Sequence, residues 1–135
     1  MSWRNSLVRL AGYEVEQLRK RLAEVIERRE QAEIRLLLLQ AEAEAEARRA
    51  AADAQAGWHH LGYLAGWRLR RDALKAEIAN IEAEEAGARD AVARAFEELK
   101  KYEQLEENAR LEARKAEAQR ETAALDELGL RRAGR

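Results

Sequence analysis

A chain of 135 residues without a single proline has few ways to fold. Proline breaks helix interiors by removing an N–H donor and clashing with the preceding turn, and ordinary usage would place about seven in a chain of this length. Their absence points to helix nearly throughout. Ala, Glu, Arg, Leu and Lys dominate, as they do in long helices. Alanine supplies much of the 47% apolar content. It buries little area, so a thick globular core is hard to build from it, and a thin seam between two helices suits it better.

Apolar residues recur at alternating spacings of three and four. From Val8 the series runs Val8, Ala11, Val15, Leu18, Leu22, Val25, Arg29, Ala32, Leu36, Leu39, Ala43, Glu46, Ala50, Asp53, and only Arg29, Glu46 and Asp53 interrupt it. A second series runs Leu64, Trp67, Arg71, Leu74, Ile78, Ile81, Glu85, Ala88, Val92, Ala95, Leu99, Tyr102, Glu106, Ala109, Ala113, Ala116, interrupted only by Arg71, Glu85 and Glu106. Each is a heptad seam sustained long enough to read as coiled coil. Between them lies Gly57-Trp58-His59-His60-Leu61-Gly62-Tyr63-Leu64-Ala65-Gly66-Trp67. Glycine costs a helix roughly 1 kcal/mol relative to alanine, so three within ten residues are the strongest breaking signal in the chain.

The expected fold is therefore all-α, a single-domain, long two-helix antiparallel coiled-coil hairpin. Helix 1 is expected over about 5–56, a glycine and aromatic turn over about 57–66, helix 2 over about 67–120, and a mobile tail over 121–135. Each helix would run about 50 residues, or roughly 75 Å. If the chain reverses near Leu61–Gly62, facing residues have numbers summing to about 124. Val25 then lies near Leu99, Leu18 near Leu105, and Leu36–Leu39 opposite Glu85–Ala88. That would pack large side chains on small ones and give Gly87 a reason to sit inside a helix. The same arithmetic leaves residues from about 120 onward without a partner.

Composition also excludes functions. Residues 1–56 hold ten basic and ten acidic side chains, and residues 57–135 hold fifteen and sixteen. Neither half would be steered to nucleic acid or to a membrane by its net charge. There are no cysteines, hence no disulfide framework and no Cys-based metal site. No stretch looks like a signal peptide, and the longest apolar run, Leu36–Leu39, is far below the roughly 20 residues of a membrane span. A soluble cytoplasmic protein is expected, without direct membrane insertion. His59 and His60 point about 100° apart on a helix and do not share a metal-binding face. The glycines lack the spacing of a phosphate loop. No catalytic constellation, cofactor site or metal site emerges, so the chain is expected not to be an enzyme.

Two groups of residues are candidates for binding other proteins. Trp58, Tyr63 and Trp67 either plug the end of the hairpin or anchor a partner, since tryptophan and tyrosine are favoured at interfaces. Arg68, Arg70 and Arg71 beside them read as a solvated helix start. In the tail, Leu125 and Leu128 flank Asp126 and Glu127, following Arg120 and Glu121. An unpaired charged helix does not need those leucines unless they dock on something else.

These features resemble the flagellar export protein FliJ family. The resemblance lies in the charged heptad helix, in Tyr63-Leu64-Ala65-Gly66-Trp67 followed by Leu74, Ile78 and Ile81, and in the C-terminal stretch. That stretch runs Lys100-Lys101-Tyr102-Glu103-Gln104-Leu105-Glu106-Glu107 and continues to Arg120-Glu121 and Leu125-Asp126-Glu127-Leu128. The resemblance implies a small antiparallel coiled coil of the flagellar type III export apparatus, similar to the coiled coil of the rotary ATP synthase γ subunit. It implies an export ATPase, a membrane export gate protein and export chaperones as partners, and a monomer when alone. It also implies a cytoplasmic location, peripheral to the membrane face at the flagellar base. Gate contact would fall on Trp67, Leu74 and Ile78, with Arg70 at one commonly apolar contact position. ATPase contact would fall on Arg120, Glu121, Leu125, Asp126, Glu127 and Leu128. Two other readings stay open: a dimeric coiled-coil scaffold, and a stalk or chaperone protein of an injectisome-type secretion system.

Overall fold

The structure, a computed structural model, describes residues 2–134. It contains two α-helices, α1 over Trp3–Ala52 and α2 over Ala54–Ala133, and no strand among the described residues. The expected all-α hairpin of two long helices is what the chain forms. Ser2 caps α1, its hydroxyl accepting the Asn5 N–H at 3.3 Å.

The reversal lies at Asp53, not in the glycine-rich stretch. The Asp53 carboxylate accepts the Gln55 N–H at 3.1 Å, and its carbonyl accepts the Gly57 N–H at 2.9 Å to close the first turn of α2. Aspartate is among the best N-caps because it satisfies a donor that the helix itself leaves free. Residues 57–66, expected as the turn, are helical. No glycine among the described residues has positive φ, so a cost of roughly 1 kcal/mol each is all that Gly62 and Gly66 impose. Packing offsets it: Tyr63, Leu64 and Trp67 are half-buried, and the Trp67 indole N–H donates to the Leu39 carbonyl at 2.8 Å. At Gly57 a side chain would be tolerated too. A Cβ there would stand 3.4 Å from the Ala50 carbonyl oxygen, an ordinary van der Waals contact beside the reversal.

Moving the reversal shifts the register. Arg28 pairs with Glu84, Arg35 with Glu77 and Arg70 with Glu42, and the numbers in each pair sum to 112 rather than 124. Every facing pair expected from the sequence is displaced accordingly.

Glu16–Ala93 forms one compact unit that contains the reversal. Its core is Val25, Ala32, Ile78 and Ile81, with Leu36 and Leu74 packed against it. Val25 therefore meets Ile78 and Ile81, not Leu99. Leu18 lines a shallow groove with Gly87, Ala88 and Ala91, so its neighbours are these small residues and not Leu105. Gly87 has open space where a Cβ would be, and close packing against the leucines 36–39 is not its role.

Met1–Val15 with Arg94–Arg135 forms a second unit. Ala11 and Val15 are buried in it, and Arg4 faces Glu106 at 3.5 Å. In the observed register the first residue of α1, Trp3, is matched near position 109. Residues 110–134 are all exposed and helical through Ala133. The unpartnered segment thus begins about ten residues earlier than the sequence arithmetic placed it.

Candidate partner-binding surfaces

The first candidate group divides by helix face. Trp67 turns toward α1, with its indole N–H on Leu39 and the Arg71 guanidinium 5.2 Å over its ring. Tyr63 shares that side, stacked on His60 at 6.1 Å and covered by Arg70 at 6.0 Å. Burial pushes the Tyr63 hydroxyl above its ordinary value of 10.0, and the nearby Glu42 carboxylate adds to the shift. Leu74 is half-buried against the core, and Ile78 is inside it. Trp58 is different: it is 78% exposed. The structure therefore leaves Trp58 and the outer edges of Tyr63, Trp67 and Leu74 accessible, and turns Ile78 inward. Arg70 also pairs with Glu42 at 3.4 Å.

The second candidate group lies on the exposed end of α2. Leu125 is 68% exposed and Leu128 51%. Arg120 pairs with Glu117 at 3.0 Å and Glu127 with Arg131 at 3.1 Å, all along the same helix. Such exposed pairs add a few tenths of a kcal/mol of helix support each. Glu121 and Asp126 are exposed. At helical spacing Leu111, Ala118, Leu125 and Leu128 fall on one side. This is a charged helix with an apolar stripe and nothing of its own chain on it, the form in which a helix seats into a partner's groove.

Sequence comparison decides what kind of chain this is. Residues 5–135 match the family described as "Flagellar FliJ protein". A flagellar FliJ protein of Caulobacter vibrioides (strain NA1000 / CB15N) is 51% identical over 131 residues, covering 97% of this chain and 94% of the relative. The flagellar FliJ protein of strain ATCC 19089 / CIP 103742 / CB 15 matches to the same extent. This chain belongs to the flagellar FliJ family. No solved structure matches it. Membership makes it a flagellar protein of the export apparatus. Among the described residues no helix is long and apolar enough to cross a membrane, and no group of His, Cys, Asp and Glu could hold a metal ion.

For a FliJ-family chain the seam is as informative as the surfaces, and sequence reasoning missed one feature of it. Arg29 and Glu85 interrupt the two heptad series, and the structure pairs them across the helices. Arg29 also reaches Glu33 at 3.1 Å, and Glu85 reaches Arg89 at 3.1 Å. The Arg29 hydrogen bond holds the Glu85 carboxyl below its usual value, against the opposing effect of burial and with Arg89 adding to it. Hydrogen bonds to Glu85 and Glu33 raise Arg29. A polar pair at seam positions specifies register, because a slip would set each charge against an apolar neighbour. Matching the interruptions of the two series to each other, Arg29 with Glu85, was the available signal. Also missed were the exposed outward residues Leu61 and Leu69 beside Trp58.

Proposed function

We propose that this FliJ-family protein is a non-catalytic coupling component of the flagellar type III export apparatus. In this reading it links the export ATPase ring to the membrane export gate protein and assists export chaperones. It works at the cytoplasmic face of the membrane and is monomeric when alone. The observation that carries the reading is the run of exposed residues from 110 to 134, helical through Ala133, with unpartnered leucines at Leu125 and Leu128. The helical residues from 110 to Ala133 extend roughly 36 Å, enough to enter a ring. Arg120, Glu121, Leu125, Asp126, Glu127 and Leu128 are assigned to the ATPase. Trp67, Leu74 and Ile78 are assigned to the gate, through the parts of Trp67 and Leu74 that stay accessible, with Ile78 holding the helix in place from the core.

The test is co-purification of the full chain with the export ATPase and, separately, with the cytoplasmic part of the gate protein. A chain truncated after Gln119 is expected to lose the ATPase and keep the gate. Equal ATPase capture by both chains removes the C-terminal segment from the interface. Sizing by light scattering completes the test: a stable dimer would favour the scaffold reading.

A further inference from the structure

Residues 47–71 hold five arginines, Arg48, Arg49, Arg68, Arg70 and Arg71, against one acid, Asp53. Three of the five pair with acids just outside this stretch, Arg49 with Glu46, Arg70 with Glu42 and Arg71 with Asp72, which leaves Arg48 and Arg68 without an ion pair among the described residues. From residue 54 to 71 there is no acid at all. Within this stretch α2 carries a single-file apolar stripe on its outer side. Trp58, Leu61 and Leu69 are 78%, 68% and 73% exposed, and at helical spacing they fall on one face with Ala65. Gly62 and Gly66 beside them have nothing within 4 Å of a Cβ position, so the stripe stands proud of a smooth flank. Arg68 adjoins Leu61 and Leu69, is exposed, and has no ion-pair partner among the described residues.

We propose that the first turns of α2 rest on an anionic lipid surface, with Trp58, Leu61 and Leu69 entering the boundary between headgroups and acyl chains and Arg68 meeting lipid phosphate. A helix with tryptophan and leucine on one face and arginine on its flank lies in the plane of a bilayer interface, and binding grows with the buried apolar area and with attraction to anionic lipid. The stripe is convex and one side chain wide. A deformable lipid surface accommodates that shape, whereas a protein would need a matching groove. The stripe is too short to cross a membrane, and no helix among the described residues does so.

This face is separate from the gate contact proposed above. Trp58 lies nine residues before Trp67, about 180° around the helix, and Trp67 turns toward α1. Loss of lipid binding therefore leaves the gate contact of Trp67 and Leu74 intact, and each can fail without the other.

The experiment is flotation of the full chain with phosphatidylcholine vesicles and with vesicles of phosphatidylcholine and phosphatidylglycerol, at low and physiological salt. Binding is expected only with phosphatidylglycerol, weakening as salt rises, with a blue shift of tryptophan emission. Trp58→Ser with Leu61→Ser should lower partitioning roughly tenfold or more. Arg68→Glu, a surface change that leaves the fold alone, should lower it roughly fivefold or more. Equal flotation with both vesicle types, or variants that float as the parent chain does, overturns the proposal. Capture of poly-glutamate without any vesicle binding overturns it in favour of an acidic protein partner.

Discussion

Two stretches of this chain are both charged helix rich in Ala, Glu, Arg and Leu, yet the unit Glu16–Ala93 has a core and residues 110–134 have none. In the first, Val25, Ile78 and Ile81 meet across two helices, and Arg28, Arg29, Arg35 and Arg70 pair with acids on the other helix. In the second, the ion pairs run along a single helix, as between Arg120 and Glu117. The difference shows that the heptad pattern supplies a face, while the register decides whether that face is filled from within the chain. Where it is not filled, the face is available to a partner.

The contrast is broken most severely from inside the core. Val25 is 2% exposed, and Val25→Asp should cost more than about 4 kcal/mol by placing a charge there. Circular dichroism should show the thermal transition collapse. Ile81→Ala should cost about 2–5 kcal/mol by leaving a cavity, read from urea unfolding. Leu125→Ala, by contrast, should change stability by no more than about 0.5 kcal/mol, because Leu125 covers nothing. If Leu125→Ala destabilises as much as Ile81→Ala, the C-terminal segment is packed and the comparison fails.

Acid sharpens the same comparison. The Glu85 carboxyl is held below its ordinary value of 4.5, chiefly by Arg29. A depressed folded-state value adds stability that is present above the unfolded value and is lost as pH falls through the folded one. Thermal melts should therefore fall more steeply below about pH 4.5 for the parent chain than for Glu85→Gln. Parallel curves would mean that the seam pair contributes nothing specific. Arg29→Leu alone should destabilise more than Arg29→Leu with Glu85→Leu, since the single change strands a carboxylate in the seam. Trp67→Phe should cost about 1 kcal/mol through the lost bond to Leu39.

The helical hairpin was legible in the heptads and the missing proline, because both depend only on local spacing. The register was not. Glycine spacing was weighed as a chain break, but Gly62 and Gly66 are tolerated where Trp67 and Tyr63 pack, and a single capping aspartate, Asp53, makes the turn. Propensity is a weak signal that tertiary packing overrides. The unpartnered C-terminal leucines were legible because they depend only on one helix outrunning the other. The division of the aromatic group was not, because which side of α2 faces α1 follows from the register, and Trp58 and Trp67 fall on different sides of it. A direct check of register uses the absence of cysteine. A short crosslinker should join Arg35→Cys to Glu77→Cys within one chain, and should not join Arg35→Cys to Arg89→Cys, the pair that a reversal near Gly62 would bring together.

The most direct test of the account is amide hydrogen exchange along the full chain, alone and with the export ATPase. The account predicts slow exchange across the seam around Val25, Ala32, Ile78 and Ile81, fast exchange through residues 110–134 in the free protein, and strong protection of that segment once the ATPase is added. Residues 110–134 exchanging as slowly as the seam in the free chain, or staying unprotected in the complex, would contradict it.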